Sequence, residues 1–275
     1  MDALSTKGLT LGYGETSIIK ELDLAIPKGE ITVLIGSNGC GKSTLLRSLA
    51  RLLKPQEGSI VLDGQQIAKM QTRKIAKQLA ILPQTSIAPE GLTVLQLVKQ
   101  GRYPHQNWLQ QWSEKDEEAV FGALEATGLT DFVERKVDSL SGGQRQRAWI
   151  AMTLAQDTDI ILLDEPTTYL DLTHQIDILD LLYDLNQTKN RTIVMVLHDL
   201  NLACRYADHI VAIHDQKVYK QGVPNDIITP DLMHAVFGLQ CQVTCDPLCG
   251  TPLCIPFSKG RHLKGGANNV EPISS

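Results

Sequence analysis

Residues 36–43 place two glycines around four residues and follow them with a lysine and a serine. This is the Walker A pattern, in which the glycines let backbone N–H groups surround phosphate oxygens. We expect Lys42 to reach the β- and γ-phosphates of a nucleotide and the Ser43 hydroxyl to ligate Mg²⁺. A glycine-rich turn with an incidental lysine is the alternative, but the flanking strand and helix patterns favour phosphate binding. The residues expected to contact the nucleotide are Ser37, Asn38, Gly39, Cys40, Gly41, Lys42, Ser43 and Thr44.

Two adjacent carboxylates, Asp164 and Glu165, follow the apolar run Ile160–Leu163. An apolar strand delivers such side chains to the carboxyl edge of an α/β sheet, where ligands bind. Asp164 is the candidate Mg²⁺ ligand, and Glu165 is the candidate that polarises an attacking water. A strand followed by a solvated acidic turn is the alternative, which would be commoner for this segment alone. The phosphate loop elsewhere in the chain favours the catalytic interpretation.

Residues 140–144 read Leu-Ser-Gly-Gly-Gln. Ser141 is suited to cap a following helix, and Gly142 and Gly143 would leave the amides at its N-terminus open to an anion. One ATP has a single γ-phosphate, which the first loop already holds. The two anion sites can therefore serve one nucleotide together if two chains meet head to tail across it, with Gln144 beside the bound phosphate.

The sequence segments that surround these motifs have the pattern of an α/β fold. Residues 31–35, 160–163, 193–197 and 210–213 are apolar runs typical of buried parallel strands, and helix-like stretches separate them. Two segments before residue 27 alternate as in antiparallel strands. We expect a P-loop NTPase core with a parallel sheet, an N-terminal antiparallel β-subdomain and an inserted α-helical subdomain. The alternative is that the helical region is only another face of a single α/β domain.

These predicted parts have definite bounds. The core covers residues 1–88 and 157–257, the helical subdomain covers residues 89–156, and residues 258–275 form a polar, mobile tail. Five leucines between residues 45 and 53 are expected to share one face of the helix that follows the phosphate loop, with Pro55 and Gly58 ending it.

Composition narrows the classes of function. The chain has 275 residues and a formal net charge of -5, which argues against a basic nucleic-acid surface. No apolar run approaches the ~20 residues of a membrane span. The first seven residues lack the features of a secretory signal, so we expect a cytosolic address, with the six cysteines as thiols.

Taken together, the three motifs resemble those of the ATP-binding cassette (ABC) family, and the resemblance extends from residue 4 to about residue 256. It implies that Tyr13 stacks on adenine and that Asp171 belongs to the segment called the D-loop, where Tyr169 departs from the small residue common in the family. It implies that Gln84 senses Mg²⁺ and the attacking water, and that His198 contacts the γ-phosphate. Catalysis would then involve Lys42, Gln84, Glu165 and His198, in a pair of chains closed over two ATP molecules.

The resemblance also indicates a class of transporter. Residues 101–105, Gly-Arg-Tyr-Pro-His, and residues 249–256 look like segments of cassettes that serve importers of iron siderophores, haem and vitamin B12. Ferric siderophore uptake is the leading expectation, with Arg102 and Tyr103 docking on an integral-membrane permease. A helix end stopped by Gly101 and Pro104 is the structural alternative for this segment, and the two interpretations are compatible. A substrate-binding protein would act indirectly, nucleic acid would play no part, and the chain would lie peripherally on the cytoplasmic face of the cell membrane. A soluble, non-transport ABC ATPase that clamps a macromolecule is the alternative.

Four cysteines cluster near the end of the predicted core, at positions 241, 245, 249 and 254. Thiolates at such spacings are able to bind Zn²⁺ or an iron–sulfur cluster. The segment lacks paired Cys-x₂-Cys knuckles, however, and buried free cysteine is common. Free thiols are the favoured interpretation, with a metal site as the alternative.

Overall fold

The computed structural model describes residues 2–84, 89–106, 112–168 and 170–257. Strands and helices alternate along most of this length. The strands are β1 (Asp2–Tyr13), β2 (Thr16–Pro27), β3 (Ile31–Gly36), β4 (Glu57–Leu62), β5 (Gln65–Gln66), β6 (Leu79–Leu82), β7 (Ile160–Leu163), β8 (Thr192–Val196), β9 (His209–His214), β10 (Lys217–Gly222), β11 (Cys241–Cys245) and β12 (Pro252–Pro256). The α-helices are α1 (Lys42–Leu49), α2 (Thr72–Ala76), α3 (Val94–Gln100), α4 (Glu114–Ala126), α5 (Gly142–Ala155), α6 (Leu172–Lys189), α7 (Leu200–Tyr206), α8 (Pro224–Ile227) and α9 (Pro230–Phe237).

The central sheet has the strand order β10-β9-β3-β8-β7-β6. Strands β3, β6, β7, β8 and β9 run parallel to their neighbours, and β10 pairs antiparallel with β9 at one edge. Every residue of β3, β7 and β8 is buried, because both faces of the sheet are covered. The parallel sheet expected from the apolar runs is confirmed.

A second, antiparallel sheet has the order β2-β1-β4-β5. Strands β1 and β2 form a long hairpin whose register shifts at several points. These shifts explain why the sequence shows only partial alternation there. The predicted N-terminal antiparallel sheet is present, and its two main strands are longer than the sequence pattern indicated.

Alternate residues of the central strands face two hydrophobic clusters. Val33 of β3 and Met195 of β8 belong to the cluster beneath α3–α7, whereas Leu34 and Val194 belong to the cluster shared with α1 and the antiparallel sheet. This alternation is the two-residue period of a strand. The sheet therefore separates two cores and is fixed from both sides.

Helices α3, α4 and α5 lie between β6 and β7 in the sequence, and those strands are adjacent in the sheet. Thr93, Ser113 and Ser141 cap the three helices, each through a reciprocal capping box. Their buried side chains share one cluster with the sheet. The division into a core and a helical subdomain at residues 89–156 stays a prediction.

Helix α1 is shorter than the leucine pattern indicated. It ends at Leu49, and Leu52 is exposed. Arg51 has a φ of 59°, in the left-handed region, so the helical path stops before Leu52. The expectation that all five leucines share one helical face was wrong for Leu52 and Leu53, which lie beyond the helix. The helix also ends before Pro55 and Gly58, which were expected to end it.

The C-terminal strands β11 and β12 form a hairpin against α7. Asn201 of α7 accepts a hydrogen bond from the Cys254 amide at 2.8 Å and donates one to the Cys254 carbonyl at 3.3 Å. These bonds attach the hairpin to the helix that begins two residues after His198. The predicted tail, residues 258–275, lies outside the described residues. Among the described residues, no helix combines the length and apolar character needed to cross a bilayer.

Candidate nucleotide-binding site

The phosphate loop joins β3 to α1, as the sequence predicts. Gly36 ends the strand, and a Cβ there would lie 2.4 Å from the Ile213 carbonyl oxygen. Gly41 precedes the helix with a φ of 105°, a left-handed conformation that favours glycine. The two bracketing glycines are therefore required by the backbone of the loop.

Lys42 lies folded over this loop. Its side chain is buried, with 6% of the residue exposed, and its Nζ donates to the carbonyls of Gly36 and Ser37, each at 2.9 Å. No carboxylate pairs with it among the described residues. The ammonium charge is held in the loop without a neutralising partner, which suits it to an anion. Ser37, Asn38 and Gly39 are exposed at the loop tip, whereas Cys40 and Ser43 are half-buried and Thr44 is buried.

Ser43 and Asp164 meet beneath the loop. The Ser43 hydroxyl donates to Asp164 Oδ1 at 2.8 Å. Asp164 is 1% exposed, and its second oxygen, Oδ2, is buried without a hydrogen-bond partner among the described residues. Burial raises the pKa of Asp164 above its usual value, against the opposing hydrogen bond from Ser43. An orphaned carboxylate oxygen beside a hydroxyl is a donor set that fits Mg²⁺.

Glu165 accepts three side-chain hydrogen bonds. His198 Nε2 donates to it at 2.8 Å, Gln84 Nε2 at 2.8 Å and the Thr168 hydroxyl at 3.0 Å. Burial alone would raise the pKa of Glu165, but these three bonds outweigh it and hold the pKa below its usual value. Its φ of 54° places this non-glycine residue in the left-handed region.

This cluster follows from the parallel sheet. Gln84 follows β6, Glu165 follows β7 and His198 follows β8, so the carboxyl ends of three neighbouring strands bring the side chains together. The sequence analysis missed Thr168, which lies three residues after Glu165. Gln84, expected near the metal, donates to Glu165 in the structure rather than to Ser43 or Asp164.

Ser141 begins α5 as its N-cap. Its hydroxyl accepts from the Gln144 amide at 3.3 Å, and its own amide donates to Gln144 Oε1 at 3.1 Å. Gly142 is exposed, while a Cβ on Gly143 would lie 2.8 Å from His174. Among the described residues, no hydrogen bond or ion pair joins residues 141–144 to the phosphate loop. Within the described part of the chain, the two predicted anion sites are therefore not bonded to one another.

Tyr13 and Asp171 have separate positions. Tyr13 ends β1 with 51% of its surface exposed, so its ring is free to stack. Asp171 caps α6, because its carboxylate accepts from the His174 amide at 3.0 Å. Tyr169, which departs from the family pattern, lies outside the described residues.

The two residues predicted to dock on a permease differ in exposure. Arg102 is 5% exposed, and it donates to Asp116 through Nε and to the Ala155 carbonyl through Nη1, both at 2.8 Å. Its guanidinium is bound inside the protein, so the expectation that Arg102 docks was wrong. Tyr103 is 74% exposed and remains suited to an interface.

The four clustered cysteines divide into two pairs. Cys241 and Cys254 are buried within the C-terminal hairpin, and Cys245 and Cys249 are exposed near its turn. Across the described residues, no group of three or more histidine, cysteine, aspartate or glutamate side chains is arranged to hold a metal ion. This arrangement gives no support to the alternative of a four-cysteine metal site.

More than half of the chain matches a known protein family. The family model described as "ABC transporter" matches residues 19–168, which include the phosphate loop, the Ser141 segment and both adjacent carboxylates. The chain belongs to the ABC transporter family. It carries the ATP-binding domain of that family, and ATP is its nucleotide substrate.

Relatives of the family match almost the full length. The petrobactin import ATP-binding protein FpuD of Bacillus anthracis is 72% identical over 262 residues, covering 95% of this chain and 96% of that protein. The ferric enterobactin transport ATP-binding protein FepC of Escherichia coli (strain K12) is 50% identical over 261 residues, covering 95% and 96%.

Solved ABC structures have the same fold. A metal-chelate type ABC transporter in an inward-facing conformation gives a TM-score of 0.81 at 32% identity, covering 94% of this chain and 99% of that one. The ABC cassette MJ0796, solved as a dimer in a post-hydrolysis state with ADP and Pi, gives 0.70 at 30% identity, covering 80% and 98%. The α/β P-loop fold expected from the sequence is confirmed.

Proposed function

We propose that this chain is the ATP-hydrolysing subunit of a membrane importer for ferric siderophores or related iron chelates. The observation that carries the proposal is the near full-length identity to siderophore relatives, which reaches 72% with the petrobactin import protein. An achromobactin transport protein of Dickeya dadantii (strain 3937) is a further relative at 60%. The iron chelate itself would contact other subunits, so this assignment rests on family similarity.

In this proposal the phosphate loop holds ATP. The amides of residues 37–44 surround the phosphates, and Lys42 supplies the cationic charge nearest the γ-phosphate. Tyr13 stacks on the adenine ring, for which its exposed position is suited.

Mg²⁺ would be held by Ser43 and Asp164. When bound, it would supply positive charge that offsets the negative charge of the phosphate groups. The unpartnered Asp164 Oδ2 supports this assignment. Gln84 donates a hydrogen bond to Glu165, the residue that follows Asp164. From this position its amide would respond to the bound nucleotide.

Glu165 is proposed as the general base that polarises the attacking water. The N–H groups of His198 and Gln84 are directed at its carboxylate. A γ-phosphate offers new acceptor oxygens to these same donors, which would leave Glu165 an open lone pair for water. His198 and Lys42 would then stabilise the charge that develops on the transferred phosphoryl group.

Two copies would complete each site. The N-terminus of α5, at residues 141–144 of the second copy, would close over the γ-phosphate held by the first, and Asp171 would lie at the junction. The exposed Gly142 amide and the absence of contact with the phosphate loop among the described residues support a site shared between chains. The dimeric cassette bound to ADP and Pi supports it further.

The dimer is testable with the Glu165→Gln variant, which would trap the closed state. With ATP and Mg²⁺, light scattering after gel filtration should give a molar mass twice the 30.3 kDa of one chain. Without ATP, it should give the mass of a monomer. Adding Ser141→Arg should prevent the dimer while leaving ATP binding intact. A dimer that is independent of ATP and Ser141 would contradict the shared site.

The proposed partners are integral-membrane permease subunits, with a substrate-binding protein acting indirectly. The chain would lie peripherally on the cytoplasmic face of the cell membrane, and Tyr103 would contact the permease. The net charge of -5 gives no support to a nucleic-acid partner.

Uptake of ⁵⁵Fe-labelled siderophore tests this assignment in cells that depend on the chain. Cells with the native chain should accumulate iron, those with Glu165→Gln should not, and a tagged chain should co-purify with a polytopic membrane protein. Tyr103→Ala should weaken that co-purification without lowering the ATPase rate of the isolated chain. Nucleic-acid-stimulated ATPase activity without a membrane partner would instead identify the soluble ABC alternative.

A further inference from the structure

A cavity of about 560 Å³ lies between α4 on one side and the C-terminal parts of α5 and α6 on the other. Asp157 and Arg191 on its far side precede β7 and β8, at the amino-terminal edge of the parallel sheet. The nucleotide site lies at the carboxyl edge, so the two sites are separate. The volume falls within the range of about 300–1,000 Å³ common for small-molecule sites.

The cavity walls carry an excess of positive charge in an acidic protein. Arg102, Lys115, Lys189 and Arg191 face two carboxylates, Glu118 and Asp157, which gives a net charge of +2 with His105 neutral. Counting Asp116, the buried partner of Arg102, still leaves +1. The whole chain, by contrast, has a net charge of -5.

Several of these cationic groups have unused donors. Lys115 and Lys189 have no hydrogen bond or ion pair with any described residue. Arg102 uses Nε and Nη1 on protein partners, and its Nη2 makes no bond within the described part of the chain. Arg191 is already paired with Asp157. Three donor groups therefore remain for an acid group in the cavity.

The remaining surface is apolar and made of small residues. Ala119, Gly122, Ala123 and Ala126 form one face of α4, because they lie three or four residues apart. Leu154 and Leu185 add larger apolar surface. At Gly122, an added Cβ would meet no atom within 4 Å, so the space beside this helix is open.

We propose that this cavity binds a small amphipathic organic anion: a carboxylate, sulfonate or phosphate ester with an apolar body. The acid group lies among the donors of Arg102, Lys115 and Lys189, and the apolar body lies along the small-residue face of α4. Because the ligand touches both α4 and the segments before β7 and β8, its binding favours one relative position of these elements.

The probe is 8-anilinonaphthalene-1-sulfonate, an amphipathic anion whose fluorescence rises in apolar surroundings. Its neutral counterpart, N-phenyl-1-naphthylamine, has the same ring system without the sulfonate. Both are titrated into the full chain with saturating ADP and Mg²⁺, which keeps the probes out of the nucleotide site. We expect saturable binding of one sulfonate probe per chain, at least tenfold tighter than that of the neutral probe.

Two variants address the two halves of the cavity. Gly122→Leu fills the open space, and the double variant Lys115→Gln with Lys189→Gln removes the unpaired charges. Each should lower the affinity for the sulfonate probe by about tenfold or more. Glu125→Leu, which adds leucine to α4 outside the cavity, and Lys7→Gln with Lys20→Gln, on β1 and β2, are the matched controls and should bind as the native chain does.

Several results would overturn the proposal that the cavity binds an amphipathic anion. Failure of the native chain to bind the sulfonate probe, or equal affinity for the neutral probe, overturns the proposal. Unchanged affinity in either cavity variant does so as well, because one half of the site would then play no part. Circular dichroism and the temperature of unfolding confirm that each variant is folded. These binding readouts do not depend on the transport assignment.

Discussion

Glu165 accepts the Nε2–H of His198 at 2.8 Å, so the candidate base and the candidate phosphate sensor are bonded to each other. The bond joins residues at the carboxyl ends of two adjacent strands, β7 and β8. In the proposed mechanism, this bond would link nucleotide binding to activation of the base through one imidazole. An acceptor that draws His198 away also changes the environment of the carboxylate.

Glu165→Gln is expected to retain ATP binding while nearly abolishing turnover. The amide keeps the size of the side chain but lacks the basicity, and loss of a general base lowers the rate by about 10²–10⁴-fold. Phosphate release and equilibrium binding of a fluorescent ATP analogue measure the two effects. Hydrolysis at the native rate would exclude Glu165 as the base.

Ser43→Ala is expected to raise the Mg²⁺ concentration needed for half-maximal ATPase activity by about tenfold, since one oxygen ligand is removed. Ser43→Thr, which restores a hydroxyl, is the matched control and should stay near the native requirement. A Mg²⁺ titration of the ATPase rate measures this difference. If the alanine variant has the native Mg²⁺ requirement, Ser43 is not a ligand.

Arg102→Met is expected to lower the free energy of unfolding by about 3 kcal/mol or more, because Asp116 would be left buried without its cation. The adjacent substitution Tyr103→Ala removes an exposed side chain and should change stability by less than about 0.5 kcal/mol. Urea denaturation compares the two. Equal effects would indicate that Arg102 has no structural role.

Asp116 gives the protein a defined sensitivity to acid. Burial alone would raise the pKa of Asp116, but hydrogen bonds from Ser113 and Arg102 outweigh it and hold the pKa below its ordinary 3.8. A lowered folded-state pKa contributes stability above pH 3.8, and that contribution is lost as the pH falls through the folded value. The stability difference between the native chain and Asp116→Asn should therefore be constant near neutrality and shrink below pH 4. A difference that grows on acidification would show that the folded-state pKa of Asp116 is raised rather than lowered.

The cysteines should differ in reactivity. Burial raises the pKa of the Cys254 thiol to about 11, and it raises the pKa of Cys204 and Cys241 as well. Iodoacetamide at neutral pH should modify the exposed Cys245 and Cys249 far faster, because the thiolate is the reactive form. Peptide mass spectrometry over time measures each rate. Equal labelling of Cys254 and Cys249 would contradict the described burial.

Local motifs were predictable because their chemistry depends on neighbouring residues. The loop around Lys42 needs only a strand, two glycines and a helix in succession, and the carboxylates at 164 and 165 need only the strand before them. The cap at Ser141 likewise depends on residues three apart. Each of these positions follows from the sequence without knowledge of distant contacts.

Contacts between distant segments were harder to predict. Arg102 lies in a short segment that resembles a docking motif, but its partner Asp116 is fourteen residues away and the fold buries both. Thr168 reaches Glu165 only because of the turn after β7. The register of β11 and β12 places Cys241 opposite Pro256 and Cys254 opposite Val243, so the two thiols meet as diagonal neighbours, which spacing along the chain does not reveal.

The left-handed backbone of Glu165 sets activity against stability. At a φ of 54°, glycine would adopt this conformation with less strain than any side chain, by about 1–2 kcal/mol. A chain selected only for a stable fold would therefore favour glycine here, although glycine loses more conformational entropy on folding than other residues do. That a carboxylate occupies the position means that the fold tolerates a local distortion at the residue proposed as the general base. Attempts to stabilise this protein by relaxing its most strained residues should exclude position 165.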